Sequence, residues 1–237
     1  MLTLYDFELA PNPRRARMFL AEKNIDYKKV SINLRELEQF SDAFKSVNPR
    51  CTVPALVNED GHCFADNASI AAYLEARFPE PPLLGRSPED KGDVAYWQAR
   101  IESDGLGAVA EAFRNSNPAM ANRGLPGTRP IEQIPALAER GLQRTAAFFD
   151  DLNEHLANRE FIAANQFSIA DITALVTVDF ARVIKQQPTE ESHPHLCAWR
   201  ERMKLRPSAK AYVRDGCWDR EPQRPFFNEP LLSPGLP

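Results

Sequence analysis

The sequence predicts an α+β domain followed by an all-helical domain. Strand-like and helix-like patterns alternate over residues 1–80 in the order βαβ-ββα, which is typical of a small mixed four-stranded sheet with helices packed on it. After a cluster of prolines near residue 80, no strand pattern returns and long helical patterns follow. The length of 237 residues accommodates two such domains. We therefore divide the chain into residues 1–80, a helical domain of residues 88–215 and a proline-rich C-terminal arm of residues 216–237.

The elements of the first domain follow from local patterns. Alternating apolar and polar residues predict a first strand over residues 2–7. A helix is predicted over residues 14–23, for which Asn12 is a good N-cap and Pro13 a good first helical residue. The Asp60-Gly61 step predicts a hairpin turn, because glycine supplies the positive φ that such turns need. The other predicted strands are residues 27–32, 53–57 and 62–64, and the other predicted helices are residues 34–47 and 66–78.

The second domain is predicted to be a helical bundle. Prolines within residues 79–82 cannot continue the preceding helix and indicate a linker. Ser168 and Asp171 have the spacing of a capping box in front of a strongly apolar, and therefore buried, helix. The predicted helices are residues 92–113, 134–158, 168–184 and 194–206, with an interruption rich in Pro, Gly and Asn at residues 117–130.

Composition and charge exclude several classes of protein. Apolar residues make up 43% and charged residues 26%, which argues against a disordered chain, a collagen or a coiled coil. The net charge of -4 does not favour nucleic acid as a partner, and no apolar run is long enough to predict a membrane span. No secretory signal and no Cys-x-x-Cys pair is visible, so we expect a cytoplasmic protein with reduced cysteines and no metal site.

Four motifs along the chain match one known family. They are Asn48-Pro-Arg-Cys-Thr-Val-Pro-Ala-Leu56, Asp66-Asn-Ala-Ser-Ile-Ala-Ala-Tyr-Leu74, Phe167-Ser-Ile-Ala-Asp-Ile172, and His193-Pro-His-Leu-Cys-Ala-Trp199 followed by Arg206-Pro-Ser208. In this order they resemble the glutathione S-transferases of the cytosolic, bacterial type, with the class within the family left open. The resemblance covers about residues 1–212. It implies a thioredoxin-like first domain, glutathione as co-substrate, a role in detoxification and a homodimer.

The resemblance also implies where glutathione binds. Thr52, Val53 and Pro54 would form its binding edge, with a cis Val53–Pro54 bond and the backbone of Val53 paired with the cysteinyl backbone of glutathione. Without the resemblance, a trans proline at the start of a strand would be expected. Asp66 and Asn67 suit the ammonium and carboxylate of the γ-glutamyl group, although both are equally good as simple helix caps. The family usually has Ser where Asn67 stands.

Two residues are candidates for activating the thiol of glutathione. A helix N-terminus and hydrogen-bond donors lower the pKa of a thiol, and the family uses Tyr, Ser or Cys as the donor, depending on class. Residues 6–23 contain neither Ser nor Cys, which leaves the amide of Asn12 at the predicted start of the helix and the hydroxyl of Tyr5 in the first strand. The structural alternatives are a simple cap for Asn12 and a core aromatic for Tyr5. Cys51 replaces a small family residue and is interpreted as lying near the site without a catalytic role.

Arg14 and Arg15 follow directly after the candidate Asn12. Basic residues in the first turn of a helix oppose the helix dipole, which indicates that an anion lies nearby. An ion pair between the two domains is the plainer interpretation. Direct contact of Arg14 with a carboxylate of glutathione is the alternative.

The predicted function is that of a glutathione transferase that stabilises the thiolate for attack on an electrophilic, apolar small molecule. The acceptor would lie between the domains against the helix at residues 92–113, with Trp97, Phe113 and Phe180 as its wall or as core residues. One alternative is another glutathione-dependent enzyme, such as an isomerase, a dehalogenase or an ether-cleaving lyase. Another is a non-catalytic glutathione-binding or regulatory protein on the same fold.

Overall fold

The computed structural model of the protein describes residues 1–210, in which a mixed β-sheet domain is followed by helices alone. The predicted arm at residues 216–237 and the last residues of the predicted helical domain, 211–215, lie outside the described residues. The strands and α-helices are β1 (Leu2–Asp6), α1 (Pro11–Glu22), β2 (Tyr27–Ser31), α2 (Asp42–Lys45), β3 (Ala55–Val57), β4 (Cys63–Phe64), α3 (Asn67–Arg77), α4 (Pro88–Arg100), α5 (Gly107–Ser116), α6 (Pro135–His155), α7 (Ile169–Phe180) and α8 (Pro194–Lys204).

The predicted four-stranded mixed sheet is confirmed, with the strand order β2-β1-β3-β4. β1 pairs parallel to β2 and antiparallel to β3, and β3 pairs antiparallel to β4. Successive side chains of a strand point to opposite faces of the sheet. Leu2 and Leu4 lie in the main core with residues of α1 and α3, whereas Tyr5 packs in a second cluster with Phe44 of α2. The alternation therefore turns the Tyr5 ring away from α1 and α3.

The prediction that Asn12 caps the first helix is wrong. α1 begins at Pro11, and its N-cap is Ala10, which has extended backbone and makes no side-chain cap. Proline suits the first helical position because its φ is already helical and its missing N–H has no intrahelical partner to lose. Asn12 is consequently the second residue of the helix, and its side chain is available for partners outside the backbone.

Residues 34–47 do not form one helix as predicted. Leu37 has a left-handed backbone with φ of 60°, which interrupts any helix at that point. A short 3₁₀ turn at Glu38–Phe40 follows, and α2 begins only after Ser41, whose hydroxyl accepts a hydrogen bond from the amide of Phe44. The apolar spacing of this segment reflects its burial against β1 and β3 rather than a continuous helix.

The long helix predicted over residues 92–113 starts earlier and ends later. α4 begins at Pro88 behind Ser87, which forms a capping box with Asp90. The helical path then continues through a π-helical segment at Ile101–Leu106 into α5, which ends at Ser116. No helix among residues 1–210 is long and apolar enough to cross a membrane.

The buried helix predicted over residues 168–184 is confirmed as α7 and a following 3₁₀ turn. Ser168 caps α7 and forms the predicted capping box with Asp171. The side chain of Asp171 is fully buried and accepts hydrogen bonds from the amide of Ile162 and the indole of Trp199 as well. One carboxylate thus ties the start of α7 to the preceding loop and to α8.

The crossing of α5 and α6 depends on the absence of a side chain at Gly141. A Cβ there would lie 2.6 Å from the backbone nitrogen of Ala112 and 2.7 Å from the backbone oxygen of Ala108. We expect Gly141→Ala to lower the free energy of unfolding by ~1–3 kcal/mol, because the two helices would have to move apart. Urea unfolding of the variant would measure this loss.

Gly92 in α4 is the matched control, because a Cβ at this position would meet nothing within 4 Å. Gly92→Ala should therefore raise the free energy of unfolding by ~0.5–1 kcal/mol through its better helix propensity. Equal effects of the two substitutions would contradict the close helix crossing.

Candidate functional site

The N-termini of α1 and α3 lie side by side and form the centre of the candidate site. The side-chain amide of Asn67 donates to Oδ1 of Asn12 across 3.4 Å, although 55 residues separate the two in sequence. Asn12 is exposed and Asn67 is buried. Two of the predicted site residues are thus in contact where two helix N-termini, which favour anions, meet.

The predicted cis bond between Val53 and Pro54 is confirmed. The preceding loop is held by the side-chain amide of Asn48, which donates to the carbonyl of Thr52 across 2.7 Å and to its hydroxyl across 3.2 Å. Cys51 adopts φ of 56°, the left-handed region that favours glycine. Thr52 and Val53 are both partly exposed.

Asp66 is the N-cap of α3. Its carboxylate accepts a hydrogen bond of 2.7 Å from the amide of Ser69, and the side chain is otherwise exposed. The capping interpretation of Asp66 is therefore confirmed by geometry. The role of Asp66 and Asn67 toward a γ-glutamyl group remains a prediction.

The two candidates for thiol activation lie in different environments. Oδ1 of Asn12 accepts hydrogen bonds from Asn67 and, across 3.0 Å, from Nη1 of Arg15. The ring of Tyr5 packs against that of Phe44, with 5.7 Å between the ring centroids, on the sheet face opposite α1. Its packing corresponds to the structural interpretation, a core aromatic. The role of either residue in thiol activation remains a prediction.

Arg14 and Arg15 both cross from α1 to the helical domain. Nη1 of Arg14 donates to Asp179 of α7 across 2.7 Å, and Nε of Arg15 donates to Thr173 of α7 across 3.1 Å. Arg15 also forms an ion pair with Glu102 in the π-helical segment. The geometry confirms the interdomain interpretation. Contact of Arg14 with a carboxylate of glutathione remains a prediction.

Burial disfavours the positive charge of Arg15 and lowers the pKa of its guanidinium. The negative charge of Glu102 opposes this shift, as does that of Asp66 to a smaller extent. The negative charge of Glu102 thus supports the charged form of a guanidinium that is almost completely buried.

A buried ion pair that sequence reasoning missed joins the end of β1 to α1. Asp6 and Arg17 pair while both side chains are only 1% exposed, and Nη2 of Arg17 also donates to the carbonyl of Glu8 across 3.0 Å. Burial raises the pKa of Asp6, and Arg17 opposes the shift. The pair anchors the loop that leads into Asn12. The alternation of β1 indicates that Asp6 faces the core, but no local pattern identifies Arg17 as its partner.

A shallow groove lies beside the first turn of α1, between the two domains. Phe180 forms part of its wall, and the ring of Phe113 packs edge-on against Phe180 with 5.9 Å between centroids. Trp97 is a core residue instead, since it is buried and its ring packs at a tilt of 35° against that of His155, with 3.8 Å between centroids. The residues that line the groove are Glu8, Leu9, Ala10, Pro11, Arg14, Val176 and Phe180.

Comparison with known proteins identifies the family. The family model of the glutathione S-transferase N-terminal domain matches residues 10–77 of this chain. The family model of the glutathione S-transferase C-terminal domain matches residues 117–207. Glutathione S-transferase 2 of Saccharomyces cerevisiae is 34% identical over 217 residues, which cover 88% of this chain and 88% of that protein. The chain belongs to the glutathione S-transferase family. The prediction of a glutathione transferase enzyme is thereby confirmed at the level of the family.

Solved structures of the family have the same fold. Gtt2 from Saccharomyces cerevisiae superposes with a TM-score of 0.80 at 31% identity, covering 89% of this chain and 100% of that one. A glutathione S-transferase domain-containing protein from Marinobacter aquaeolei superposes with a TM-score of 0.79 at 33% identity, covering 87% of this chain and 98% of that one.

Among residues 1–210, no group of three or more His, Cys, Asp or Glu side chains could hold a metal ion.

Proposed function

We propose that this glutathione S-transferase binds glutathione across the N-termini of α1 and α3 and that Asn12 activates the thiol. The orientation of Asn12 is the observation that supports this. Its Oδ1 accepts from Arg15 and Asn67, so both N–H groups of its amide remain free to donate on the exposed side. Amide donors beside a helix N-terminus favour a thiolate over a thiol.

The other predicted residues supply the remaining contacts. The backbone of Val53 pairs with the cysteinyl part of glutathione, with Thr52 and Pro54 forming the same edge. The γ-glutamyl group binds at the N-terminus of α3, where Asp66 takes its ammonium and the Asn67 amide faces its carboxylate. The exposure of Asp66 beyond its single cap contact supports this role.

The chemistry is nucleophilic substitution or addition by the thiolate. A bond forms between the glutathione sulfur and an electrophilic carbon, and the electron pair leaves with the departing group or moves into an adjacent acceptor. The protein lowers the pKa of the thiol and holds the two reactants together, and it contributes little acid–base catalysis. We place the apolar acceptor in the groove walled by Leu9, Val176 and Phe180.

The remaining proposals rest on what is typical of the family. We propose a cytoplasmic homodimer in which residues 1–80 bind glutathione and the helical domain from residue 88 onward supplies most of the acceptor site. Size-exclusion chromatography with light scattering would measure the oligomeric state.

We expect Asn12→Ala to raise the pKa of the bound glutathione thiol by ~1–2 units, because a hydrogen bond to a charged group contributes ~1.5–3 kcal/mol. At pH values below that pKa, kcat/KM toward a general electrophile should fall ~10–100-fold with the thiolate fraction. The ultraviolet absorbance of the thiolate as a function of pH measures the first effect, and steady-state kinetics measure the second.

Tyr5→Phe is the matched control, because it keeps the ring packed on Phe44 and removes only the hydroxyl. In Tyr5→Phe, the pKa of the bound glutathione thiol should equal that in the unsubstituted enzyme. A raised pKa in Tyr5→Phe with an unchanged pKa in Asn12→Ala would assign activation to Tyr5. If neither variant changes the pKa, the backbone amides at the start of α1 are the activating donors. Glutathione binding without turnover of any electrophile would favour a regulatory protein.

Glutathione-dependent ether cleavage is the second candidate function. Protein LigF of Sphingobium, a β-etherase of solved structure, is 25% identical over 240 residues, which cover 88% of this chain and 91% of that protein. Attack of the same thiolate on a carbon bearing an aryl ether would release a phenol. Phenol release from an aryl ether, compared with conjugation of a simple electrophile, would discriminate the two functions.

A further inference from the structure

Arg15 connects three elements around the proposed thiol-activating residue. Nη1 donates to Oδ1 of Asn12 across 3.0 Å, Nε donates to the hydroxyl of Thr173 in α7 across 3.1 Å, and Nη2 pairs with Glu102. The side chain of Arg15 is only 5% exposed. Because each of the three nitrogens binds a different element, the planar guanidinium is held in a single orientation.

This orientation determines which end of the Asn12 amide faces outward. An arginine can only donate hydrogen bonds, so the atom of Asn12 that faces it must be the carbonyl oxygen. The side-chain nitrogen of Asn67 donates to the same oxygen. If the amide rotated by half a turn, its N–H groups would face these donors and its oxygen would face the thiolate, which it would repel. Arg15 and Asn67 thus select the one orientation that can stabilise a thiolate.

Glu102 supports Arg15 from a segment with unusual geometry. It lies in the π-helical segment at Ile101–Leu106, and its Oε1 also accepts from Nε2 of Gln98 across 3.0 Å. π-helical turns are rare and are frequent at functional sites. Here the segment brings a carboxylate from the helical domain to the N-terminus of α1, 87 residues away in sequence.

We propose that Arg15 is a positioning residue for thiol activation, oriented by Thr173 and Glu102, and that it acts through the side chain of Asn12. The proposal rests on the function assigned above to Asn12. It adds that activation depends on a contact between the two domains, since the groups that hold Arg15 belong to α7 and to the π-helical segment.

A double-mutant cycle on the pKa of the bound glutathione thiol tests the proposal. Arg15→Met should raise that pKa by most of the ~1–2 units expected for Asn12→Ala. In the Asn12→Ala background, Arg15→Met should cause no further shift, because the residue through which it acts is gone. Glu102→Gln, which retains the shape of the side chain, should cause a smaller shift of the same sign and should likewise lose its effect in the Asn12→Ala background.

Two further variants separate orientation from mere stability. Arg15→Lys keeps a positive charge opposite Glu102 but lacks the planar guanidinium that reaches Asn12 and Thr173 together. The pKa of the bound glutathione thiol should therefore stay raised in Arg15→Lys, as in Arg15→Met. Glu22→Gln is the matched control. Glu22 also joins α1 to the helical domain, through two hydrogen bonds from Arg206 at 2.8 and 2.7 Å, but it lies at the opposite end of the helix. It should change stability and leave the thiol pKa unchanged.

The outcomes separate this inference from the proposed function. A raised pKa in Asn12→Ala with no shift in Arg15→Met overturns the inference and retains the function of Asn12. Equal shifts from Arg15→Met in both backgrounds also overturn it, because Arg15 would then act directly on glutathione. An unchanged pKa in Asn12→Ala overturns both. If Arg15→Met does not fold, the cycle with Glu102→Gln decides, and the absence of any shift there overturns the inference.

Discussion

Asp171→Ala is expected to lower the free energy of unfolding by ~3 kcal/mol or more. The carboxylate of Asp171 accepts from the amides of Ile162 and Ser168 at 3.1 Å each, from the hydroxyl of Ser168 at 3.3 Å and from the indole of Trp199 at 3.2 Å. These three residues are fully buried, so their donors would lose their partner without access to water. Each unsatisfied buried donor costs ~1–3 kcal/mol. Chemical unfolding measures the loss.

Asp150→Ala is the control for this prediction. Asp150 also accepts a hydrogen bond, from His193 across 3.1 Å, but its side chain is 76% exposed. Its removal should change the free energy of unfolding by less than ~1 kcal/mol. If Asp171→Ala also changes the free energy of unfolding by less than ~1 kcal/mol, the buried carboxylate does not stabilise the fold as proposed.

The pH dependence of stability offers a second measurement at Asp171. Burial raises the pKa of Asp171 from 3.8 to about 6, against the opposing hydrogen bonds. The folded state therefore binds this proton more tightly than the unfolded state does. The stability that the bound proton contributes is fully present below pH ~4 and is lost as the pH rises through ~6. The unfolding free energy of the unsubstituted protein, minus that of Asp171→Asn, should fall by ~3 kcal/mol across that range. A difference that stays flat would contradict the raised pKa.

Asp179→Ala is expected to cost a comparable ~3–5 kcal/mol, because it leaves two guanidinium groups in the interdomain contact without their anion. Asp179 accepts from Arg14 of α1 at 2.7 Å and from Arg200 of α8 at 2.9 and 2.5 Å. The three side chains are no more than 19% exposed. Burial acts to raise the pKa of Asp179, but the two arginines outweigh it and the pKa is lowered. Thermal and chemical unfolding would measure the loss.

The double variant Asp179→Ala/Arg14→Met distinguishes a charge effect from a packing effect. If the stranded charge is the cause, removing Arg14 as well should recover part of the stability. The exposed pair of Arg86 and Glu80, whose side chains are 64% and 67% exposed, provides the control, and Glu80→Ala should have an effect below ~1 kcal/mol. A double variant less stable than Asp179→Ala would point to packing instead.

Local patterns predicted most of the elements but misplaced several of their ends. The start of α4 was predicted four residues late, although Ser87 and Asp90 have the spacing of a capping box. The start of α1 was predicted behind Asn12, with Pro13 as the first helical residue, but the extended backbone of Ala10 puts the start at Pro11, a residue equally suited to a first turn. No single-sequence signal marks the π-helical segment, because it follows from packing along a continuous helix.

The residues of the candidate site were likewise predicted only in part from the sequence. Val53 and Asp66 could be proposed from the sequence because their neighbours match a family pattern, and Asn12 because it lies at the predicted helix start in a segment without Ser or Cys. The placement of Tyr5 follows from strand alternation, which puts it on the α2 face of the sheet. By contrast, the orientation of the Asn12 amide depends on Arg15 and therefore on groups that are distant in sequence.

The sequence by itself determined the family, the two-domain order and the segments proposed to bind glutathione, because these depend on short-range motifs and on apolar periodicity. Only the tertiary structure decided the partners of the three arginines in α1. Arg14 pairs with a residue 165 positions away, Arg15 with Glu102, and Arg17 with Asp6. A charged side chain carries no local signal of which anion it will meet. That choice is made by packing between the two domains for Arg14 and Arg15, and by packing of α1 on β1 for Arg17.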